Sequence, residues 1–130
     1  MNIFLHHNAR YEKARKLDYS IIDEGFFQNI LSIYEHEVPE QKIQSYIKKI
    51  PNIDKVFLFE INKETLEHRA KERGYIGRTT LLTQDEQHKW LDIVFSNLDT
   101  LKKVLPSLKM SSLVLDGNQD RASTSKSIAI

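Results

Sequence analysis

The chain has 130 residues, of which 40% are hydrophobic and 28% charged, with a formal charge of +1 and no cysteine. These proportions are those of a soluble globular protein, and the near-neutral balance argues against a dedicated nucleic-acid binder, which carries a basic surplus. The absence of cysteine excludes disulfides, thiol nucleophiles and Cys-ligated zinc.

A chain of this length is expected to form one domain and to bury roughly two-thirds of its unfolded surface. We expect a single globular domain over residues 1–117 and a polar tail over 118–130, with Ile128 and Ile130 able to pair as a terminal strand. The opening segment Met-Asn-Ile-Phe-Leu-His-His-Asn has neither a basic start nor a long apolar core, so no signal peptide is expected. No apolar run approaches the roughly 18 residues of a membrane span. The expected location is the cytoplasm, without membrane contact.

In chain order, Ile3 to Leu5 suggests a short strand, and Asn8 a cap for a basic helix carrying Tyr11, Ala14 and Leu17 on one side. Ser20 and Asp23 have the spacing of a capping pair. Ile22, Phe26, Ile30 and Ile33 then follow at helical period. Pro39 suits the first turn of another helix, which would bury Ile43, Tyr46, Ile47 and Ile50 and stop at Pro51. Residues 55–61 are short, apolar and aromatic-rich, the composition of a buried strand. Asn62 predicts the cap of a largely polar helix over 63–73, closed by Gly74. Residues 75–82 suggest another strand.

Thr83 and Glu86 form a capping box before a stripe of Trp90, Leu91, Val94, Leu98, Leu101 and Leu105, with Asp99 as a candidate break and Pro106 as the end. Residues 112–116 read as a strand and Asp116-Gly117 as a turn. The expected fold class is α+β: a helix-dominated single domain with a small sheet of three or four short strands.

Two groups of residues suggest function. Residues 19–40 hold Asp23, Glu24, Glu35, Glu37 and Glu40 and no Lys or Arg. Asp23, Glu24 and Glu40 fall in predicted first helical turns, where the macrodipole favours acids by roughly 0.3–1 kcal/mol. Glu35 and Glu37 fall near a predicted helix end and have no such local reason. With Glu24 on the same flank, they form a candidate partner-binding patch for a basic protein, because acidic patches steer basic surfaces into contact. Small size, this acidic segment and the lack of a coherent catalytic set predict a protein-binding inhibitor. Its form would be an immunity or antitoxin protein that occludes a basic nuclease toxin or a host enzyme. No cofactor and no metal are expected.

The alternative is a small ribonuclease or RNA-binding protein. His68 would act as general base, with Arg69, Arg73 and Arg78 on phosphates. The stretch 65–73 resembles, over its own length only, the His-bearing helix that small ribonucleases of the barnase, EndoU and RelE-like group place ahead of an antiparallel sheet. Tyr75-Ile76-Gly77 resembles the second half of the GIY-YIG nuclease signature. The upstream strand reads Val56-Phe-Leu-Phe59 rather than Gly-Ile-Tyr, and the helix from Gln84 offers Lys89 where that family has an arginine. His6 and His7, adjacent on the expected strand, would point to opposite faces and share no ion.

Overall fold

A computed structural model describes residues 3–22, 25–32, 36–74, 77–119 and 123. The elements in order are α1 (Ile3–Ala14), α2 (Phe26–Ser32), α3 (Glu40–Ile47), β1 (Val56–Glu60), α4 (Lys63–Arg73), a 3-10 turn (Gly77–Leu81), α5 (Gln84–Ser107) and β2 (Ser112–Asp116). Helix dominates, and the two strands pair in parallel in the register Val56↔Ser112 to Glu60↔Asp116. Parallel neighbours require a long crossover, here supplied by α4, the 3-10 turn and α5.

The expected sheet of three or four strands is thus a sheet of two among the described residues. Residues 3–5 begin a helix instead. A strand needs a neighbour for its backbone polar groups, whereas a helix satisfies its own, and Ala9, Arg10, Glu12, Lys13 and Ala14 are at least average helix formers. The expected strand over 75–82 is also absent where it is described. Its second part is the 3-10 turn, squeezed between the helix stop at Gly74 and the cap at Thr83. Thr79 in this turn is buried, and Gln87 Nε2 donates to the Thr79 and Leu82 carbonyls, each at 3.2 Å. Ile22 lies outside α2, which starts after Gly25. Asp23, Ile33, Glu35, Ile128 and Ile130 lie outside the described residues.

Asn8, expected as a cap, lies inside α1; α3 stops at Ile47, short of Pro51, and α5 runs through Pro106 to Ser107, whereas the ends of α4 and the start of α5 match their sequence signals. Asn62 Oδ1 accepts the Thr65 N–H at 2.7 Å, and Gly74 closes α4 at φ 81°, in the region glycine enters without a steric penalty. The Thr83–Glu86 box is reciprocal: Glu86 Oε2 accepts the Thr83 N–H at 2.8 Å, and Thr83 Oγ1 accepts the Glu86 N–H at 3.4 Å. Helix α5 runs unbroken through Asp99, which is exposed and sits 3.1 Å from Lys102.

The core joins Ile30 of α2, Ile43 and Ile47 of α3, Val56 and Leu58 of β1, and Leu98, Leu101, Val104 and Leu105 of α5. Trp90 and Val94, expected in the stripe, are only half-buried, while Val104 and Asn97 are fully buried. The inner arc of α5 is therefore turned slightly from the expected stripe.

Asn97 is the one polar side chain in the buried arc of α5. Its Oδ1 accepts the Val38 N–H at 2.8 Å, and its Nδ2 donates to the Ile30 and His36 carbonyls at 3.4 and 3.3 Å. The side chain thereby links α5 to the last turn of α2 at Ile30 and to the α2–α3 connection at His36 and Val38.

Helix α5 ends in a Schellman turn. The Lys109 N–H reaches the Pro106 carbonyl at 3.0 Å and the Met110 N–H the Leu105 carbonyl at 3.2 Å. Lys109 occupies the left-handed position, with φ 57°, where glycine is usual.

Two stability measurements test this account. Asn97→Ala leaves one buried N–H and two carbonyls without their side-chain partner and is expected to cost about 3 kcal/mol, at about 1–3 kcal/mol per unsatisfied group. Urea unfolding with a midpoint unchanged from the parent would refute that. Lys109→Gly relieves a left-handed conformation worth about 1–2 kcal/mol, less glycine's entropic cost of about 0.5–1. A gain of about 1 kcal/mol is expected in the same assay.

Candidate functional site

Helix α4 carries three of the four residues of the expected nuclease set, His68, Arg69 and Arg73. His68 is exposed, and its Nε2 lies 3.5 Å from Glu72 Oε1, one turn on. That distance is beyond a hydrogen bond. Arg69 is occupied in holding the fold: Nη1 donates to the Gly117 carbonyl at 2.9 Å. Arg73 is exposed in the last turn of α4. Arg78 falls in the 3-10 turn, with its side chain outside the described positions. Helix α4 has no fully buried residue. It is tied to α5 by Lys63–Asp92 at 2.5 Å, with His88 Nε2 3.5 Å from Glu67 Oε2. No group of three metal-ligating side chains occurs among the described residues.

The carboxyl ends of the two parallel strands gather the densest polar cluster. In open α/β sheets this is the edge where ligands gather. Register sets Glu60 beside Asp116, two like charges whose repulsion needs an answer. Lys102 supplies it, with Nζ 2.6 Å from Glu60 Oε1. The Glu60 contact raises the lysine's pKa, against the lowering effect of burial. Asp116 Oδ1 accepts both the Asn118 N–H and its side-chain Nδ2, each at 2.9 Å, and the backbone bond is the main reason its pKa is lowered. Asn118 Oδ1 in turn accepts the Asn62 N–H at 3.1 Å. Gly117 N–H reaches the Glu60 carbonyl at 2.6 Å, and a β-carbon at Gly117 would lie 3.0 Å from that oxygen. A side chain there would push the Glu60 backbone away, so glycine suits this close approach. Each of these polar groups has an internal partner, so the cluster splices the start of α4 to the end of β2.

Of the acidic patch, Glu24 and Glu35 lie outside the described residues. Glu37 is exposed on the α2–α3 connection and makes no ion pair among the described residues. Its neighbours His36 and Val38 are both bonded through their backbone to Asn97, so the acid stands on anchored main chain. Glu40 opens α3 as expected.

His6 and His7, expected on a strand, lie on a helix. On α1, His6 is exposed and His7 is 6% exposed. His7 Nε2 lies 3.2 Å from Asn29 Oδ1, Asn29 Nδ2 donates to the Tyr46 hydroxyl at 3.2 Å, and that hydroxyl donates to the Phe26 carbonyl at 3.0 Å. This chain of bonds joins α1, α2 and α3. A buried polar network needed three segments to meet, and only the predicted faces of two of them were visible in sequence. No protein-family model, curated protein or solved structure matches the chain.

The carboxylates set an acid limit. Glu86, held chiefly by the Thr83 backbone N–H, and Asp116 both have pKa values lowered from ordinary values of 4.5 and 3.8. A lowered folded pKa adds stability that is complete above the unfolded pKa and lost as pH falls through the folded one. Unfolding midpoints should be flat down to about pH 5 and fall below it, with a shallower fall in Glu86→Gln/Asp116→Asn, which removes both carboxylates and keeps the backbone donors. An identical acid slope in that variant would contradict the assignment. Lys102 acts in the opposite sense: its contribution is full below its ordinary 10.5 and lost above its raised value.

Proposed function

We propose that this chain is a small protein-binding inhibitor of the immunity or antitoxin type, working in the cytoplasm. Glu24, Glu35 and Glu37 would enter the substrate cleft of a basic partner, a nuclease toxin or a host enzyme of like charge, and block it by occlusion. The observation that supports this reading is Glu37: an exposed, unpaired carboxylate on backbone anchored by Asn97. A charge on fixed main chain loses little freedom on binding. It also contributes long-range attraction that accelerates encounter.

The test begins with affinity purification from the native host and proceeds to kinetics on the purified pair. Raising salt from about 0.05 to 0.5 M shortens the Debye length from roughly 14 to 4 Å and should slow association by tenfold or more. Glu35→Lys/Glu37→Lys should weaken binding at least tenfold at low salt. Binding that ignores both salt and the double variant defeats the proposal. The same preparation examines the alternative, a ribonuclease or RNA-binding protein using His68 with Arg69, Arg73 and Arg78. Cleavage of total RNA that disappears in His68→Ala would replace the inhibitor reading.

A further inference from the structure

A second surface lies where α3 and α5 both end. Ile47, Ile50, Pro51, Leu108 and Met110, with Lys48 and Asn52, line a groove of about 200 Å³. That is below the roughly 300–1,000 Å³ of small-molecule pockets, and suits one or two apolar side chains of a peptide. Both walls are held in place. Tyr11 of α1 donates its hydroxyl to the Asn52 carbonyl at 2.8 Å, and the Schellman turn fixes Leu108 and Met110.

The chain segments that supply the groove's lining are one-sided in charge. Residues 48–55 and 108–112 contain Lys48, Lys49, Lys55 and Lys109 against the single acid Asp54, a net +3. All four lysines are exposed, and none forms an ion pair among the described residues. Helix ends favour cations, which accounts for lysines following α3. It does not account for lysine at the left-handed position 109, where glycine relieves the strain. Residues held in such conformations concentrate where a ligand is bound.

We propose that this groove docks an acidic peptide segment of a partner protein, with one apolar side chain seated against Ile47, Leu108 and Met110 and flanking carboxylates on Lys48 and Lys109. Charge complementarity identifies the occupant, and the lining separates it from nucleic acid. The groove offers no aromatic ring for base stacking, and the chain lacks the basic surplus of a polyanion binder. This surface shares no residue with the acidic patch and is opposite to it in sign, so either reading can fail alone.

Fluorescence anisotropy on the full chain tests it with three probes: a labelled peptide Glu-Glu-Leu-Met-Glu-Glu, the same peptide with Ser replacing Leu and Met, and a single-stranded deoxyadenylate oligomer. The first should bind at least tenfold more tightly than either of the others. Lys48→Glu/Lys109→Glu should abolish that binding, and Lys109→Gly should weaken it severalfold. Because Lys109→Gly suits the turn, its loss of affinity cannot come from misfolding; a circular dichroism melt confirms this. Amide shifts in ¹⁵N spectra should centre on Ile47, Lys48, Leu108 and Met110. No binding of the first peptide, equal binding of the Ser peptide, preference for the oligomer, or full affinity in Lys109→Gly would each overturn the proposal.

Discussion

The fold depends on one buried amide. Asn97 projects from the middle of α5 and meets the Ile30 carbonyl in α2 and, on the α2–α3 connection, the His36 carbonyl and the Val38 N–H. Without it, a turn of chain that must pass close to the core would carry polar groups with no partner, a cost of several kcal/mol in a protein whose total stability is of order 10 kcal/mol. With it, α2 and α3 both lie against α5, and Val38 seats among the core residues. The same contact holds the backbone on either side of Glu37, so packing and the presentation of charge share one constraint.

The remaining architecture follows from α5 and its two ends. The reciprocal cap at Thr83 starts the helix beside the clamp that Gln87 places on the 3-10 turn. The Schellman turn at Lys109 stops it and delivers the chain to β2, whose parallel pairing with β1 requires the whole crossover to lie between them. At the far end of the strands, Gly117, Asn118 and Arg69 join β2 to β1 and α4, and Lys102 joins α5 to β1. Stability rests on one long helix with specific chemistry at both termini.

Local signals were legible wherever a single side chain answers its own backbone. Asn62, Gly74, Thr83 and Glu86 mark their helix ends in sequence because their partners lie within four residues. The strand over 112–116 was legible from apolar β-formers bounded by a turn. The helix over 3–14 and the 3-10 turn over 77–81 were not. Each has weak or short periodicity, and each is shaped by a distant contact, Tyr11 on Asn52 and Gln87 on Thr79. Asn97 could have been noticed, since it falls on the apolar face of its helix, but its partners are about 60 residues away.

Sequence alone determined the helix-dominated class, the caps of α4 and α5, the two strands and much of the apolar face of α5, because these obey rules of period and short range. It also determined which residues carry charge, including the run of acids before α3 and the lysines after it. Tertiary structure decided that the strands are parallel and only two among the described residues, that His7 is buried while His68 is exposed, and that Arg69 is engaged by Gly117. It also brought the ends of α3 and α5 together into one groove lined by Ile47, Lys48, Leu108 and Met110. These outcomes turn on which distant surfaces meet, and one chain's periodicity holds no record of its partners across the fold.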